Sequence, residues 1–258
     1  MASKKNNLMT ISSGKGGVGK TFLSITLAHA FALQGKKILL IDADIGLANI
    51  DIQLGIVPKK DLGHVFCDQL SLENAVISHE GTGFDLIAGR SGSGFFGELS
   101  AMFLNKLIKD IIVLGRNYDQ VIIDVEAGIG QLVKEFIKSS SFNLVLLNEE
   151  PTSLTDAYAL IKVTRILNPY VVITNTSTPE QGKNIFNALS KATHKFIGIA
   201  PTYLGSVPKD KNVPAVIRLQ MPILNFAPKS MASEAITEIS NDIIKFSQIS
   251  NVQVVTRS

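Results

Sequence analysis

The stretch that most constrains the fold of this chain runs from Ser13 to Thr21 and reads SGKGGVGKT. It satisfies the pattern G-x-x-x-x-G-K-[ST], follows the apolar run LMTI, and precedes apolar residues at helical spacing. A glycine-rich loop between a strand and a helix turns its backbone N–H groups toward a polyphosphate, which the positive end of the helix dipole also attracts. The motif therefore predicts that the chain binds a nucleoside triphosphate.

Two residues of the motif have predicted roles in binding the phosphates. Lys20 is expected to reach the β and γ phosphates, and the hydroxyl of Thr21 is expected to hold Mg²⁺. The other predicted nucleotide contacts within this stretch are Gly14, Lys15, Gly16, Gly17, Val18, Gly19 and Phe22. The predicted cofactors are ATP and Mg²⁺.

The rest of the sequence alternates short apolar runs with helical patterns. Runs typical of buried strands lie at residues 8–12, 38–41, 84–88, 121–124, 142–148, 171–175 and 196–201. Helical spacing recurs at residues 20–34, 99–114, 184–192 and 233–246. The alternation predicts an α/β fold, a doubly wound and mostly parallel sheet flanked by helices, as one domain over residues 1–258 with its core at about 7–246.

Composition excludes several classes of protein. Hydrophobic residues make up 45% and charged residues 18% of the chain, which is a globular composition. The net charge is only +3 and the basic residues look scattered, so we expect no nucleic-acid partner. A single cysteine, Cys67, excludes an internal disulfide framework, and the four histidines lack zinc-site spacing. With no apolar run of membrane-spanning length and no secretion signal, we expect a soluble, cytoplasmic protein.

Acidic residues stand at the ends of two predicted strands. Asp42 and Asp44 follow the second predicted strand. Asp124 ends the fourth predicted strand, directly after the apolar residues Val121 to Ile123. Ligands of open α/β sheets bind beyond the carboxyl ends of the strands, which places these acids beside the phosphates. An acid there can orient the attacking water or bind the magnesium shell, whereas an ordinary Asp-rich turn remains the alternative for Asp42 and Asp44. Asp124 is expected to hold Mg²⁺ through water, and the amide of Gly128 to contact the γ-phosphate.

The loop, with its second lysine at Lys15, resembles the deviant Walker A motif of the MinD/ParA class of ATPases, which are P-loop NTPases of the SIMIBI group. In that class the signature lysine crosses a dimer interface to touch the partner's nucleotide. The sequence DADIGLAN from Asp42 to Asn49 is similar to the switch I segment of the class. The resemblance implies that Lys15, Lys20 and Asp44 are catalytic, that Asp42 supports the metal shell, and that Asn49 lies near the dimer interface. A solvated loop cation is the alternative for Lys15.

A second resemblance is narrower. The sequence EPTSLTDAYALIK, which begins at Glu150, is similar to a segment of the flagellar-number ATPases called FlhG or FleN. It implies that Glu150 and Asp156 lie at the dimer interface. Asn175 follows a strand at the place where the family uses an asparagine for the edge of adenine, although turn formation is an alternative. Pro208 lies in a segment that resembles the one closing over the base.

The chain departs from this class after Asp124. The class usually has threonine and then a small residue or proline, whereas this chain has Val125 and Glu126. Valine removes a hydroxyl, and a carboxylate near phosphates is unfavourable unless it faces away or binds a partner. We therefore expect slow or partner-dependent turnover, and expect the Glu126→Ala change to raise basal hydrolysis.

The resemblance implies an ATPase that dimerises face to face over ATP and reopens after hydrolysis. Its expected role is control of flagellar number or placement through a protein partner, either a GTPase similar to FlhF or a transcription regulator. The implied location is the cytoplasm, including the cell pole or the inner face of the membrane. Two alternatives stay open, a ParA-like partition or cell-pole positioning ATPase and an ATP-locked regulatory module with little hydrolysis.

The carboxyl-terminal helix predicted at 233–246 does not have the pattern of a membrane anchor. Its polar side carries Glu234, Glu238 and Asp242 against Lys245 alone, whereas an interfacial helix needs a basic polar face. We expect this helix to pack on the core and expect no strong membrane binding through it.

Overall fold

The computed structural model describes residues 6–45, 47–90 and 101–255, with side chains described up to residue 246. The strands are β1 (Leu8–Ser13), β2 (Ile38–Ala43), β3 (Ile77–His79), β4 (Phe84–Ile87), β5 (Gln120–Val125), β6 (Phe142–Asn148), β7 (Pro169–Thr176) and β8 (Thr202–Pro208). The helices are α1 (Lys20–Leu33), α2 (Ile50–Leu54), α3 (Leu62–Phe66), α4 (Ala101–Gly115), α5 (Gln131–Ser139), α6 (Pro151–Thr164), α7 (Pro179–Ile197), α8 (Asn212–Leu219), α9 (Ile223–Phe226) and α10 (Met231–Val255). A 3₁₀ turn, Glu73–Ala75, precedes β3.

The strands form one sheet in the order β3-β4-β2-β5-β1-β6-β7-β8. All neighbours are parallel except β3 and β4, which are antiparallel. The chain leaves β1 toward one side of the sheet and returns to β6 on its other side, so the strand order reverses at β1. A crevice for ligands forms at such a reversal, beyond the carboxyl ends of the strands.

Helices cover both faces of the sheet, as the sequence predicted. One buried apolar cluster joins the sheet to α4, α5, α6 and α7, and the other joins it to α1, α8, α9 and α10. Successive residues of β2 alternate between the two clusters, because Leu39 and Ile41 belong to the first and Ile38 and Leu40 to the second. Burial on both faces explains the continuous apolar runs of the strands.

Several element boundaries differ from the prediction. The strand predicted at residues 196–201 is wrong, because α7 continues to Ile197 and ends where Gly198 adopts a left-handed conformation (φ 70°). The strand lies instead at Thr202–Pro208, in a segment predicted as loop from Gly205 onward. The short edge strand Ile77–His79 was not predicted. The first two residues of the helix predicted at 99–114 lie outside the described residues. From Ala101 onward the predicted helix corresponds to α4.

The carboxyl-terminal helix packs on the core, as predicted. Ile236, Ile239 and Ile243 of α10 are buried in the cluster shared with α1. Phe246 contacts the ring of Tyr170, which stacks on Phe142 with 3.9 Å between centroids. In the part of the chain that the structure describes, no helix combines the length and the hydrophobicity needed to cross a membrane.

Candidate nucleotide-binding site

The glycine-rich loop joins the carboxyl end of β1 to the first residue of α1. Gly17 and Gly19 are exposed and left-handed, with φ of 75° and 88°. At both positions a side chain would meet open space, so the glycines are required by backbone conformation and leave the loop concave. The hydroxyl of Thr174 on β7 donates a hydrogen bond of 2.7 Å to the carbonyl of Val18 and holds the loop from beneath. The loop therefore has the backbone of a phosphate cradle.

Gly14 has a different reason to be glycine. An ideal Cβ at Gly14 would lie 2.3 Å from the backbone carbon and oxygen of Asp156 on α6. Only a residue without a side chain lets the loop approach α6 so closely. This contact brings two sequence-predicted site residues together, although α6 and the loop are far apart in sequence.

The first residues of α1 meet the end of β5 in a buried corner. The hydroxyl of Thr21 donates to Oδ2 of Asp124 at 2.7 Å, and Nζ of Lys20 lies 3.7 Å from Oδ1. Asp124 is fully buried and Lys20 is 8% exposed. Burial raises the pKa of Asp124, and the charge of Lys20 and the hydrogen bond from Thr21 oppose that shift. The corner holds an acid, a cation and a hydroxyl together at the foot of the loop.

These residues fit a magnesium ion bound together with phosphate oxygens. Oδ1 of Asp124 is buried and accepts no hydrogen bond in the described structure. A carboxylate and a hydroxyl are hard oxygen donors, and Mg²⁺ is commonly held by one or two such groups plus substrate phosphates. Among the described residues, no set of three or more His, Cys, Asp or Glu side chains is placed to hold a metal by itself. The donor set therefore suits an ion that arrives with the nucleotide.

Asp42 and Asp44 take up different positions although both follow β2. Asp42 is buried, and its carboxylate accepts from the backbone N–H of Asp44, Asn49 and Ile50 at 3.0 to 3.2 Å. Burial and then the charge of Asp124 raise the pKa of Asp42 to about 7, against these three hydrogen bonds. Asp42 therefore holds the start of α2 in place. Strand register places Asp42 next to Asp124, because the two residues are partners across β2 and β5. This position is compatible with the predicted role of Asp42 in supporting the metal shell.

A cavity of about 750 Å³ opens above the loop. Six of the predicted loop contacts line it, namely Gly16, Gly17, Gly19, Lys20, Thr21 and Phe22. Asp44, Asn49 and Glu126 line it as well. Burial raises the pKa of the half-buried Asp44, and Lys20 opposes that shift. We call residues 125–130, which follow Asp124, switch II. The structure therefore gathers the loop, Asp44 of switch I and Glu126 of switch II around one space.

Glu126 does not face away from this cavity. Burial and then the charge of Asp44 raise its pKa, while Lys20 lowers it. Val125, in contrast, is fully buried in the apolar cluster on the other face of the sheet from Ile122. Because side chains alternate along a strand, a hydroxyl at position 125 would point away from the acid at 124. Valine at position 125 therefore gives no physical reason to expect slow turnover. The carboxylate of Glu126 still gives one, because this residue lines the cavity.

Switch II touches the loop through its backbone. The N–H of Gly128 donates to the carbonyl of Ser13 at 2.8 Å, and Gly128 is left-handed with φ of 106°. In this conformation the amide that was predicted to contact the γ-phosphate is already hydrogen-bonded. Contact with a phosphate requires this hydrogen bond to break.

Lys15 is held by its own chain. Its ammonium group forms an ion pair with Glu150 and donates to the hydroxyl of Thr152 at 3.1 Å. The amide of Asn148 donates to the other oxygen of Glu150 at 3.2 Å. The hydrogen bond from Lys15 is the leading cause of the lowered pKa of Glu150. Lys15 and Glu150 therefore lie together with Asp156 on the outer side of the loop, while Asn49 lies at the cavity.

The two residues predicted to contact the base lie beside each other but do not line the cavity. Asn175 is exposed and left-handed (φ 57°), and the next residue, Thr176, pairs with Pro208.

A polar network that sequence reasoning missed connects the ends of β6, β7 and β8. Glu149 accepts from the N–H and hydroxyl of Ser177 and pairs with Lys209 at 3.2 Å.

Sequence reasoning also missed part of the cavity wall. Ile45, Leu47, Gln53, Ala127 and Ile217 line it. Ile45, Leu47 and Ala127 lie within switch I or switch II, and Gln53 lies shortly after switch I, so their sequence position was an available signal. Ile217 lies on α8, which packs against α2 through a hydrogen bond of 3.0 Å from Gln220 to the carbonyl of Ile52. No local pattern predicts that contact.

A parallel sheet with a strand reversal at a phosphate cradle, and an acid at the adjacent strand end, defines a P-loop nucleoside triphosphatase. The AAA domain family matches residues 6–199. The fold is also that of MinD from Pyrococcus horikoshii, solved with Mg-ADP, at a TM-score of 0.77 and 21% identity over 95% of this chain and 98% of that one.

Two flagellar proteins are similar over most of their length. The antiactivator FleN of Pseudomonas aeruginosa is 35% identical over 240 residues, which cover 92% of this chain and 85% of FleN. The flagellum site-determining protein YlxH of Helicobacter pylori is 30% identical, covering 92% of this chain and 81% of YlxH. The chain belongs to the FleN/FlhG family of MinD-like ATPases.

Proposed function

We propose that this protein is an ATP-dependent dimerisation switch that controls flagellar number or placement through a protein partner. The observation that carries the proposal is the cavity lined by Lys20, Thr21 and Asp44, with the buried Asp124 in contact with both Lys20 and Thr21. The names of the relatives, an antiactivator and a flagellum site-determining protein, support the flagellar role. The partner is a GTPase similar to FlhF or a transcription regulator, and the switch works in the cytoplasm and at the cell pole.

The phosphates of ATP bind to the backbone N–H groups of the loop and to Lys20. Thr21 and Asp124 would hold Mg²⁺, which supplies positive charge to the β and γ oxygens as negative charge develops. Asp44, on the facing side of the cavity, orients the attacking water. The water oxygen bonds to the γ phosphorus as the bond to the β–γ bridging oxygen breaks, which leaves ADP and inorganic phosphate. Asn175 and Pro208 contact the base.

The dimer forms when Lys15 exchanges partners. In the single chain it pairs with Glu150, and both side chains are partly exposed, so water screens the pair and its loss costs little. In the dimer Lys15 reaches the nucleotide of the partner subunit, and Asn49, Glu150 and Asp156 lie at the interface. Nucleotide state then sets the oligomeric state, and the oligomeric state sets which surface the partner meets.

A second candidate is an ATP-locked regulatory module that scarcely hydrolyses its nucleotide. The observation that favours it is Glu126, which lines the cavity and whose pKa is raised by burial and then by the charge of Asp44. Negative charge at this position opposes the approach of further negative charge on the γ-phosphate. The two candidates differ in turnover and agree on binding and dimerisation.

Mass in solution with ADP and with ATP tests the proposal, with hydrolysis scored in the same samples. We expect ATP to double the mass of the wild type, and Asp44→Ala to stay dimeric with ATP while losing turnover. Glu73→Ala is the matched control, because Glu73 is an exposed acid in the 3₁₀ turn and does not line the cavity.

Two outcomes would redirect this interpretation. If the wild type dimerises with ATP but shows no single-turnover hydrolysis, the ATP-locked module is correct. If mass never responds to ATP, Lys15 is a surface cation and the switch is wrong. Co-purification from cells then identifies the partner, and recovery of neither a GTPase nor a transcription regulator would contradict the flagellar part.

A further inference from the structure

A further cavity, of about 360 Å³, opens between α4 and the segment that leads from α3 to the 3₁₀ turn. Its volume lies at the lower end of the range that ligand pockets cover. None of the described residues that line it also lines the nucleotide cavity, and none is among the residues implied at the dimer interface. We call this cavity the α3–α4 groove. A molecule bound in the α3–α4 groove therefore does not displace the nucleotide.

The floor of the α3–α4 groove is apolar. Leu72 and Leu107 are each 3% exposed and belong to the buried cluster that joins the sheet to α4. Val65 and Phe103 also line the groove and pack, half-buried, against the same cluster. Leu70 is half-buried in the lining as well. An apolar side chain inserted here would leave water and contact packed side chains, which favours its binding.

The charged part of the groove lining is mostly acidic. Asp68, Glu73 and Asp110 line the groove together with Lys106. Lys106 lies 3.8 Å from Asp68, and because both side chains are largely exposed, water screens this pair. Among the described residues, neither Glu73 nor Asp110 has an ion-pair partner. The α3–α4 groove therefore combines an apolar floor with a net negative charge.

Both walls of the groove are fixed by the fold. After α3 ends, the N–H of Asp68 donates to the carbonyl of Val65 at 3.1 Å, and the N–H of Gln69 donates to that of His64 at 2.9 Å. Asp68 itself is left-handed with φ of 53°, a conformation that aspartate adopts more readily than most residues. The other wall is α4, which Leu107 anchors in the core. Because the groove is preformed, little conformational freedom is lost when a partner binds.

We propose that the α3–α4 groove docks a segment of a partner protein in which a large apolar side chain is flanked by lysine or arginine. The apolar side chain enters over Leu72 and Leu107, and the basic groups pair with the acids that line the groove. An acidic segment or a nucleic acid does not fit, because its charge has the same sign as that of the groove. The inference goes beyond the nucleotide switch, since docking here requires neither ATP nor dimerisation.

Docking in this groove is compatible with a face-to-face dimer. The 3₁₀ turn that contributes Glu73 directly precedes β3 at the edge of the sheet, whereas the loop and α6 follow β1 and β6 near its middle. A segment that inserts one anchor side chain buries little surface, so binding is weak and reversible. Because the acids of the groove are accessible to water, the affinity falls as the salt concentration is raised.

Cys67, the sole cysteine of the sequence, permits a local test, because it is exposed and directly precedes Asp68. The full-length protein, without nucleotide, is mixed with synthetic peptides of equal length built on leucine and arginine, on leucine and glutamate, or on serine and arginine. Fluorescence anisotropy of the labelled peptide measures affinity, and the rate at which Cys67 reacts with a thiol reagent reports where the peptide binds. We expect only the leucine–arginine peptide to bind and to slow this reaction severalfold. Lys183→Cys on α7, in the Cys67→Ser background, is the matched control and should react at an unchanged rate.

Removal of the acids supplies the second arm of the test. Asp68→Asn with Asp110→Asn keeps the shape of both side chains and should weaken binding of the leucine–arginine peptide by about fivefold. Glu234→Gln with Glu238→Gln, at two exposed acids of α10, should leave that affinity unchanged.

Equal loss in both double variants would overturn the proposal, as would absent binding or equal binding of either other peptide. Binding seen only after Phe95→Ser with Phe96→Ser, two residues outside the described part of the chain, would overturn it too, because the chain's own segment would then be the occupant. None of these variants alters a residue of the nucleotide cavity, and the ATP-dependent mass should stay that of the wild type. Failure of the docking proposal is therefore distinguishable from failure of the proposed switch.

Discussion

At the scale of single residues, Gly14 of the glycine-rich loop also has a role in packing, because it contacts helix α6. Its backbone lies against Asp156, so a methyl group at this position has nowhere to go. Gly16, two residues later, is exposed, and a Cβ there would meet no atom within 4 Å. The same residue type therefore meets opposite constraints inside one loop.

Gly14→Ala should destabilise the protein by about 1–3 kcal/mol without nucleotide, because the backbone of α6 or of the loop must shift to admit the methyl group. Gly16→Ala is the control and should change stability by much less. Chemical denaturation of both variants measures the difference. Equal stability of the two variants would show that the loop and α6 do not pack as described.

A second single-residue effect concerns Glu126. This residue lines the cavity with Asp44, and the negative charges of the two side chains disfavour each other. Glu126→Ala should raise basal ATP hydrolysis roughly fivefold, the factor that relief of about 1 kcal/mol of repulsion produces. Glu126→Asp keeps the charge and should stay near the wild-type rate. An unchanged rate in the alanine variant would remove the electrostatic explanation for slow turnover.

At the scale of elements, α1 carries a buried group that titrates. His29 is 2% exposed and its Nδ1 has no hydrogen-bond partner among the described residues. Burial, and then the nearby His79, lower the pKa of His29 to about 4. The unfolded chain protonates this histidine near pH 6.5, so below that pH the unfolded state binds more protons than the folded state.

Stability should therefore fall as pH is lowered from about 6.5 to about 4, by on the order of 1–3 kcal/mol from His29. Asp42 acts in the opposite direction, because its folded pKa is raised and its contribution is lost as pH rises toward about 7. Comparing the wild type with His29→Gln isolates the histidine. Unfolding measured across this pH range should be less acid-sensitive in the variant, and parallel pH profiles would contradict the assignment.

The elements also show which parts of the fold could be predicted. The first strand, the loop and α1 were predicted because their signals are local: apolar run, glycines, then helical spacing. The start of β8 was not predicted correctly, because the apolar residues from Phe196 to Ile199 fit the end of a helix as well as a strand. Likewise the charge of Lys15 was visible in the sequence, but its contact with Glu150 depends on how α6 packs against the loop.

At the scale of the whole molecule, the nucleotide site joins segments from most of the chain. The loop, switch I, switch II and α8 all line the cavity. A ligand bound only by the folded state stabilises every segment that it contacts, by an amount set by its concentration relative to its dissociation constant. Thermal unfolding is therefore a global measure of occupancy at this one site.

Mg-ADP at one hundred times its dissociation constant should add about 2.7 kcal/mol, which for a chain of this size raises Tm by about 5–10 °C. Lys20→Ala should lose most of this effect, because Lys20 lies in the cavity. Lys15→Ala should keep it, because Lys15 pairs with Glu150 of its own chain. Differential scanning calorimetry measures both, and loss of the effect in Lys15→Ala would show that Lys15 contacts nucleotide within a single subunit.

The carboxylate of Asp42 has a further consequence for how switch I moves. One oxygen accepts from the N–H of Asp44 and the other from those of Asn49 and Ile50, so a single buried group fixes both ends of the segment between them. A segment fixed at both ends changes shape by re-closing a short loop and cannot swing outward as a free arm. Asp44, which we propose positions the attacking water, is therefore held at a fixed end of that segment by the hydrogen bond from its own N–H to Asp42.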